Sequence, residues 1–136
     1  MKLGRKQILQ AGTLVGVISL VMIGIGFFIK DSAEAFSNVL ILGGLFVFMA
    51  DFGLSLGPIV WLYIPEILEP SRISISTMAN WASAALITIL FPIIKDALGT
   101  SAYLFLFYAV YCTVGFFVSQ KYVIETKGKT EKEIYN

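Results

Sequence analysis

The stretch from Val39 to Tyr63 reads VLILGGLFVFMADFGLSLGPIVWLY, and its only charged side chain is Asp51. About 20 predominantly apolar residues in a helix cross the roughly 30 Å hydrocarbon core of a bilayer, so this stretch is long enough to span a membrane. Gly57 and Pro58 lie inside the run, where proline removes a backbone hydrogen-bond donor and clashes with the carbonyl four residues earlier. The stretch therefore predicts a membrane helix with a hinge at Gly57 and Pro58.

The composition of the whole chain excludes a soluble domain. Of its 136 residues, 57% are apolar and 14% are charged, whereas soluble domains average about 25% charged residues. Three further apolar runs have the length of membrane spans, so the sequence predicts an all-α membrane protein with four transmembrane helices. The predicted spans are approximately 8–29, 39–63, 73–94 and 102–123, followed by a polar tail over 124–136.

The basic residues are distributed unevenly between the two predicted sides of the membrane. With four spans, both termini and the loop between the second and third spans lie on one side, which carries all of the lysines and arginines except Lys30 and Lys95. Basic residues are enriched in cytoplasmic loops of membrane proteins, so we expect both termini in the cytoplasm. Glutamates interleave with the lysines of the tail, which argues against nucleic acid as a partner.

Asp51 is the only charged residue away from the ends of the predicted spans. An ionised carboxylate facing lipid near the bilayer centre costs at least about 2.5–3.5 kcal/mol. Proton coupling of a transport step is one interpretation of this residue. The alternatives are a neutral carboxyl group hydrogen-bonded to a neighbouring helix and a carboxylate that points into an aqueous cavity.

Two tryptophans and an asparagine form a second group of candidate functional residues. The Asn80 amide can both donate and accept hydrogen bonds, and Trp61 and Trp81 present flat apolar faces with one N–H group each. Amides that bind hydroxyls and rings that cover C–H faces are suited to a sugar. The alternative is that both tryptophans belong to the aromatic belt at the membrane–water interface.

Four short motifs in this order resemble the sugar porter family of the major facilitator superfamily. They are Gly4-Arg5-Lys6, Gly57-Pro58-Ile59-Val60-Trp61, Asn80-Trp81 and Glu125-Thr126-Lys127-Gly128-Lys129-Thr130. The resemblance covers essentially the whole chain and corresponds to helices nine to twelve of a fold with twelve helices in two halves. It implies that the chain is the C-terminal portion of a transporter for a monosaccharide of the hexose type.

The resemblance also implies roles for individual residues. It places Trp61, Asn80 and Trp81 near the sugar, and it makes Gly57 and Pro58 the hinge of the tenth helix. It further implies a cytoplasmic charge network that closes one state of the transporter, formed by Arg5, Glu66, Arg72 and Glu125.

Alternating access requires two halves that move around a central site, and four helices do not supply both. We therefore expect lipid, a sugar and a further polypeptide or larger membrane complex as partners, in the plasma membrane or, alternatively, an organellar one. A non-transporting structural subunit of a larger complex is the alternative function. An enzyme, a metal site and a cofactor are not expected, because the chain has no histidine, no nucleophile–base pair and no phosphate-binding loop.

Overall fold

The structure, a computed structural model, describes residues 4–126 and 128–129. This part of the chain is helical and contains no strand. Its elements are α1 (Arg5–Phe28), α2 (Glu34–Asp51), a π-helical turn (Phe52–Leu56), α3 (Gly57–Ile67), α4 (Pro70–Leu98) and α5 (Ala102–Tyr122). Because α2, the π-helical turn and α3 are continuous, the described residues form four helices long and apolar enough to cross a membrane. The prediction of an all-α membrane protein with four transmembrane helices is confirmed.

The ends of α4 follow from its sequence. The helix begins at Pro70, where the missing proline N–H has no intrahelical acceptor in any case. It continues for six residues past Pro92 and stops before Gly99, which has a φ of +70°. Glycine adopts this left-handed conformation without steric penalty and commonly terminates helices.

Small residues bring α1 and α2 into close contact. A Cβ atom built at Gly26 would lie 2.6 Å from Ile41 Cγ1, and one at Gly44 would lie 2.7 Å from Ile23 Cγ1. The buried Ser37 hydroxyl donates a 2.7 Å hydrogen bond to the Gly26 carbonyl. Side chains on each helix thus fill spaces left by glycines on the other, which is the usual way in which membrane helices approach closely.

The opposite side of α1 packs against α5. A Cβ atom at Gly24 would lie 2.9 Å from Leu106 Cγ, and the rings of Phe27 and Phe105 stack with their centroids 5.5 Å apart. Ala102, at the start of α5, is fully buried. The centre of the described bundle is therefore α1, with α2 and α5 on either side of it.

Helix α4, which is the third membrane-spanning helix, has no buried residue along its whole length. Its ring contacts to α5 are made by Phe91, which lies near Phe105 and Tyr108 with centroid separations of 5.9 and 6.4 Å. Most of α4 is thus left for lipid or for helices outside this chain to cover, and it carries Asn80 and Trp81.

Candidate functional site

An ion pair joins the start of α1 to the end of α3. Arg5 Nη2 lies 2.7 Å from Glu66 Oε1, and Arg5 Nε donates to the same oxygen at 3.2 Å. About a third of each side chain is exposed, 34% for Arg5 and 30% for Glu66. Exposed pairs of this kind contribute about 0–1 kcal/mol, so the contact can form and break at low cost.

The second oxygen of Glu66 is bound by a residue from the chain after α5. Thr126 Oγ1 donates to Glu66 Oε2 at 2.5 Å, and Thr126 is only 5% exposed. Glu66 therefore links three segments that are distant in sequence. Thr126 lies within the motif that follows the fourth span, but sequence reasoning assigned it no role.

The Glu125 side chain accepts hydrogen bonds from two backbone N–H groups at the start of α1. Its Oε1 accepts the Arg5 N–H at 2.8 Å, and its Oε2 accepts the Lys6 N–H at 3.2 Å. The first N–H groups of a helix lack intrahelical partners and carry partial positive charge, so a carboxylate there is stabilising. A Cβ atom at Gly4 would overlap this carboxylate, and glycine at that position therefore makes room for it.

Two further contacts fasten α5 and the chain that follows it to the other helices. The Tyr63 hydroxyl accepts the Ile124 N–H and donates to the Ile124 carbonyl, both at 3.1 Å. The Lys6 ammonium donates to the Gln120 carbonyl at 2.9 Å. Sequence reasoning missed Tyr63 and Lys6, because a tyrosine and a lysine at the end of a membrane helix are ordinary interfacial residues.

Arg72 is the predicted network residue that the structure does not bring into contact with the others. It lies exposed in the first turn of α4, and its side chain forms no ion pair or hydrogen bond with the rest of the described chain. The structure thus brings together Arg5, Glu66 and Glu125, adds Thr126, and leaves Arg72 apart. Lys127 and Thr130, which belong to the last motif, and residues 131–136 of the predicted tail lie outside the described residues.

The predicted hinge residues, Gly57 and Pro58, directly follow the π-helical turn. The Gly57 N–H bonds to the Phe52 carbonyl, five residues back, and a Cβ atom at Gly57 would lie 2.8 Å from that carbonyl oxygen. Pro58 follows directly and has no N–H to donate. Single π-helical turns are frequent at functional sites in helices, and here glycine and proline together account for the position of this one.

Asp51 lies immediately before the π-helical turn and faces α1. Its Oδ1 accepts a 2.8 Å hydrogen bond from the Ser55 hydroxyl, while its Oδ2 is buried and has no hydrogen-bond partner among the described residues. A Cβ atom at Gly12 would overlap Ser55 Oγ, and one at Gly16 would lie 3.7 Å from Asp51 Oδ2. Gly12 therefore leaves the space that the Ser55 hydroxyl occupies, whereas a side chain at Gly16 would only be in ordinary van der Waals contact with the carboxyl group.

The three candidate sugar-binding residues lie on α3 and α4. Trp61 is 46% exposed and Trp81 is 64% exposed. Asn80 is also exposed, and its amide forms no hydrogen bond with the described part of the chain. An amide and two ring faces are therefore available to groups from outside this chain.

Comparison with known proteins places the chain in a family. It belongs to the sugar (and other) transporter family, whose model matches residues 1–136. It is an integral membrane protein with several spans.

Similar proteins include facilitated trehalose transporter Tret1 of Aedes aegypti, 34% identical over 98% of this chain and 17% of that protein. Tret1 of Polypedilum vanderplanki is 35% identical over 98% of this chain and 27% of its own length. The putative metabolite transport protein YwtG of Bacillus subtilis is 35% identical over 98% of this chain and 30% of its own length. The chain thus spans less than a third of the length of these relatives.

Proposed function

We propose that the chain is the C-terminal portion of a transporter that moves a monosaccharide of the hexose type across a membrane. The observation that carries this proposal is the meeting of Arg5, Glu66, Glu125 and Thr126 at one end of the membrane helices. These residues come from three segments that are far apart in the sequence. An anchor or a simple packing subunit has no need for such an assembly on a helix that also contains a π-helical turn.

The cluster acts as a latch on the cytoplasmic side. It joins the first turn of α1 to the end of α3 and to the chain after α5. Each of these contacts is weak enough to break in every transport cycle. The exposed ion pair contributes about 0–1 kcal/mol, and the Glu125 carboxylate at the helix N-terminus about 0.3–1 kcal/mol. Opening of the latch frees α3 to move about the hinge at Gly57 and Pro58. The excess of basic residues on this side supports the cytoplasmic assignment of both termini.

The sugar binds against Trp61, Asn80 and Trp81. The Asn80 amide, which has no hydrogen-bond partner among the described residues, supplies hydrogen bonds to hydroxyl groups, and the exposed indoles supply faces for C–H groups. The remainder of the site comes from a further polypeptide, or from more of the same protein, because the chain spans only a fraction of its relatives. We place the complete transporter in the plasma membrane. No contact among the described residues favours the alternative of a non-transporting subunit.

The test is uptake of labelled sugar by membrane vesicles from the natural host, in which any accompanying polypeptide is present. Vesicles with the chain are compared with vesicles lacking it, using glucose and trehalose as substrates and mannitol as the leak control. We expect saturable glucose uptake that depends on the chain. Uptake of trehalose without uptake of glucose would show that the substrate is a disaccharide and not the proposed monosaccharide. Absence of chain-dependent uptake of either sugar would overturn the proposal.

A pair of substitutions on α4 tests the assigned site. Asn80→Ala removes hydrogen bonds worth about 0.5–1.5 kcal/mol, so we expect KM to rise by roughly two- to tenfold. Thr88→Ala is the matched control, because the Thr88 hydroxyl bonds to the Ala84 carbonyl of its own helix. Equal KM values for the two variants would remove Asn80 from the site.

A further inference from the structure

One buried carboxylate oxygen on the second membrane helix has no hydrogen-bond partner in the described part of the chain. Asp51 Oδ2 is inaccessible to solvent and accepts no hydrogen bond within the described residues, although Ser55 binds the other oxygen at 2.8 Å. The carboxyl group lies against α1 at Gly12 and Gly16, where Cβ atoms would lie 3.2 Å from Oδ1 and 3.7 Å from Oδ2 respectively. A charged carboxylate is stable in such a place only with a cation, water or several hydrogen bonds.

No cation faces this carboxyl group from the helices packed against it. Between Lys6 and Phe28, α1 has no ionisable side chain, and α2 has only Glu34 at its far end besides Asp51 itself. The π-helical turn has none, and α3 contributes Tyr63 and Glu66 towards the cytoplasmic end. The guanidinium of Arg5, at the start of α1, is bound to Glu66.

We propose that Asp51 is the proton-binding site of a proton-coupled transport cycle, an assignment that rests on the proposed sugar transport. A proton from the outer side adds to the carboxylate and gives a neutral carboxylic acid that fits the glycine-lined contact with α1. When α1 and the π-helical turn separate, water reaches the group, the O–H bond breaks and the proton leaves to the cytoplasm. The carboxylate is thereby restored, and one proton has crossed with the sugar.

The position of Asp51 connects protonation to the hinge. The next residue is Phe52, whose carbonyl accepts the Gly57 N–H and closes the π-helical turn. Movement of α3 about this turn changes how closely Asp51 and Ser55 lie against Gly12. The charged form therefore favours separation from α1, and the neutral form favours contact.

The first measurement is independent of transport. Infrared difference spectra of the purified protein in lipid, together with any polypeptide that accompanies it, are recorded across a pH titration. All nine aspartates and glutamates give a carboxylic-acid C=O band when protonated. We expect one component of this band to grow on acidification in the unaltered protein and in Asp31→Asn, and to be lost in Asp51→Asn. Asp31 is the matched control because it lies exposed in the loop between α1 and α2. Absence of any band that depends on Asp51 would overturn the proposal, whether or not the protein moves sugar.

The second measurement uses the host vesicles with an imposed inward proton gradient. The unaltered protein and Asp31→Asn should concentrate sugar inside, whereas Asp51→Asn should lose all accumulation and retain exchange of labelled for unlabelled sugar without a gradient. If the unaltered protein exchanges sugar but does not accumulate it under the gradient, the proton site is overturned and sugar transport is still supported. Full accumulation by Asp51→Asn would have the same consequence. Absence of both accumulation and exchange in the unaltered protein would overturn sugar transport, and with it the coupled cycle, even if the infrared band shows that Asp51 binds a proton.

Discussion

The Glu125 carboxylate accepts a 2.8 Å hydrogen bond from the backbone N–H of Arg5, 120 residues earlier in the chain. The same carboxylate accepts the N–H of Lys6, so the segment after the last helix caps the first one. This contact ties the beginning of the described chain to its end at one side of the bundle without using the Arg5 side chain, which binds Glu66.

Replacing Glu125 should loosen the first turn of α1. Glu125→Ala removes acceptors for two backbone N–H groups, and loss of a helix cap costs about 1 kcal/mol. We expect hydrogen exchange of the Arg5 and Lys6 amides to accelerate by roughly fivefold, as measured by mass spectrometry of the N-terminal peptide. Glu125→Gln keeps a side-chain acceptor and should change exchange less. Unchanged exchange in Glu125→Ala would show that the cap is not stabilising.

The Thr126 hydroxyl should be required for the stability of the Glu66 contact. Thr126→Val keeps the shape of the side chain but leaves Glu66 Oε2 without its donor, a change worth about 1 kcal/mol. We expect the thermal unfolding midpoint in lipid nanodiscs to fall by a few degrees, whereas Thr126→Ser, which retains the hydroxyl, should stay close to the unaltered protein. Identical midpoints for the valine and serine variants would contradict the assignment.

Two nearby glycines should respond oppositely to alanine. In Gly57→Ala the new Cβ would lie 2.8 Å from the Phe52 carbonyl oxygen, whereas a Cβ at Gly53 would meet nothing within 4 Å. We expect Gly57→Ala to destabilise the protein by about 1–3 kcal/mol and to shift the π-helical turn. Gly53→Ala should be neutral or stabilising by up to about 1 kcal/mol. Thermal unfolding of the two variants measures the contrast, and a neutral Gly57→Ala would mean that the turn tolerates a side chain.

The adjacent pair Gly43 and Gly44 tests the contact between α1 and α2. A Cβ at Gly44 would lie 2.7 Å from Ile23 Cγ1 and 3.0 Å from the Ser19 carbonyl oxygen, while a Cβ at Gly43 is unobstructed. We expect Gly44→Ala to push the helices apart and lower the unfolding midpoint, and Gly43→Ala to leave it unchanged or raised. In the background of Ile23→Ala, which removes the Cγ1 atom that the new Cβ would meet, Gly44→Ala should cost less stability than it does alone. If both single variants behaved alike, close packing at Gly44 would be refuted.

The sequence predicted the helices better than the contacts between them. Asp51 and Ser55 are four residues apart, so their pairing on one helix face could have been predicted from helical spacing. The hinge at Gly57 and Pro58 stays a prediction, and the π-helical turn directly before it was not predicted, because the Phe52 carbonyl finds its donor only in the folded helix. The partners of Thr126 and Tyr63 could not be predicted, since a hydroxyl near the end of a span can also bond to water and each partner is about 60 residues away.

The amino-acid sequence by itself determined that the chain is a membrane protein with four helices. This follows from the length and apolarity of continuous segments, which are local properties. A segment long enough to cross the hydrocarbon core must form a helix there, because its backbone groups find no water to bond. The tertiary structure decided which polar residues meet: Glu66 binds Arg5 and Thr126, whereas Arg72 remains apart. Such contacts join residues 60 or more positions apart, and they depend on how closely glycines allow the helices to approach.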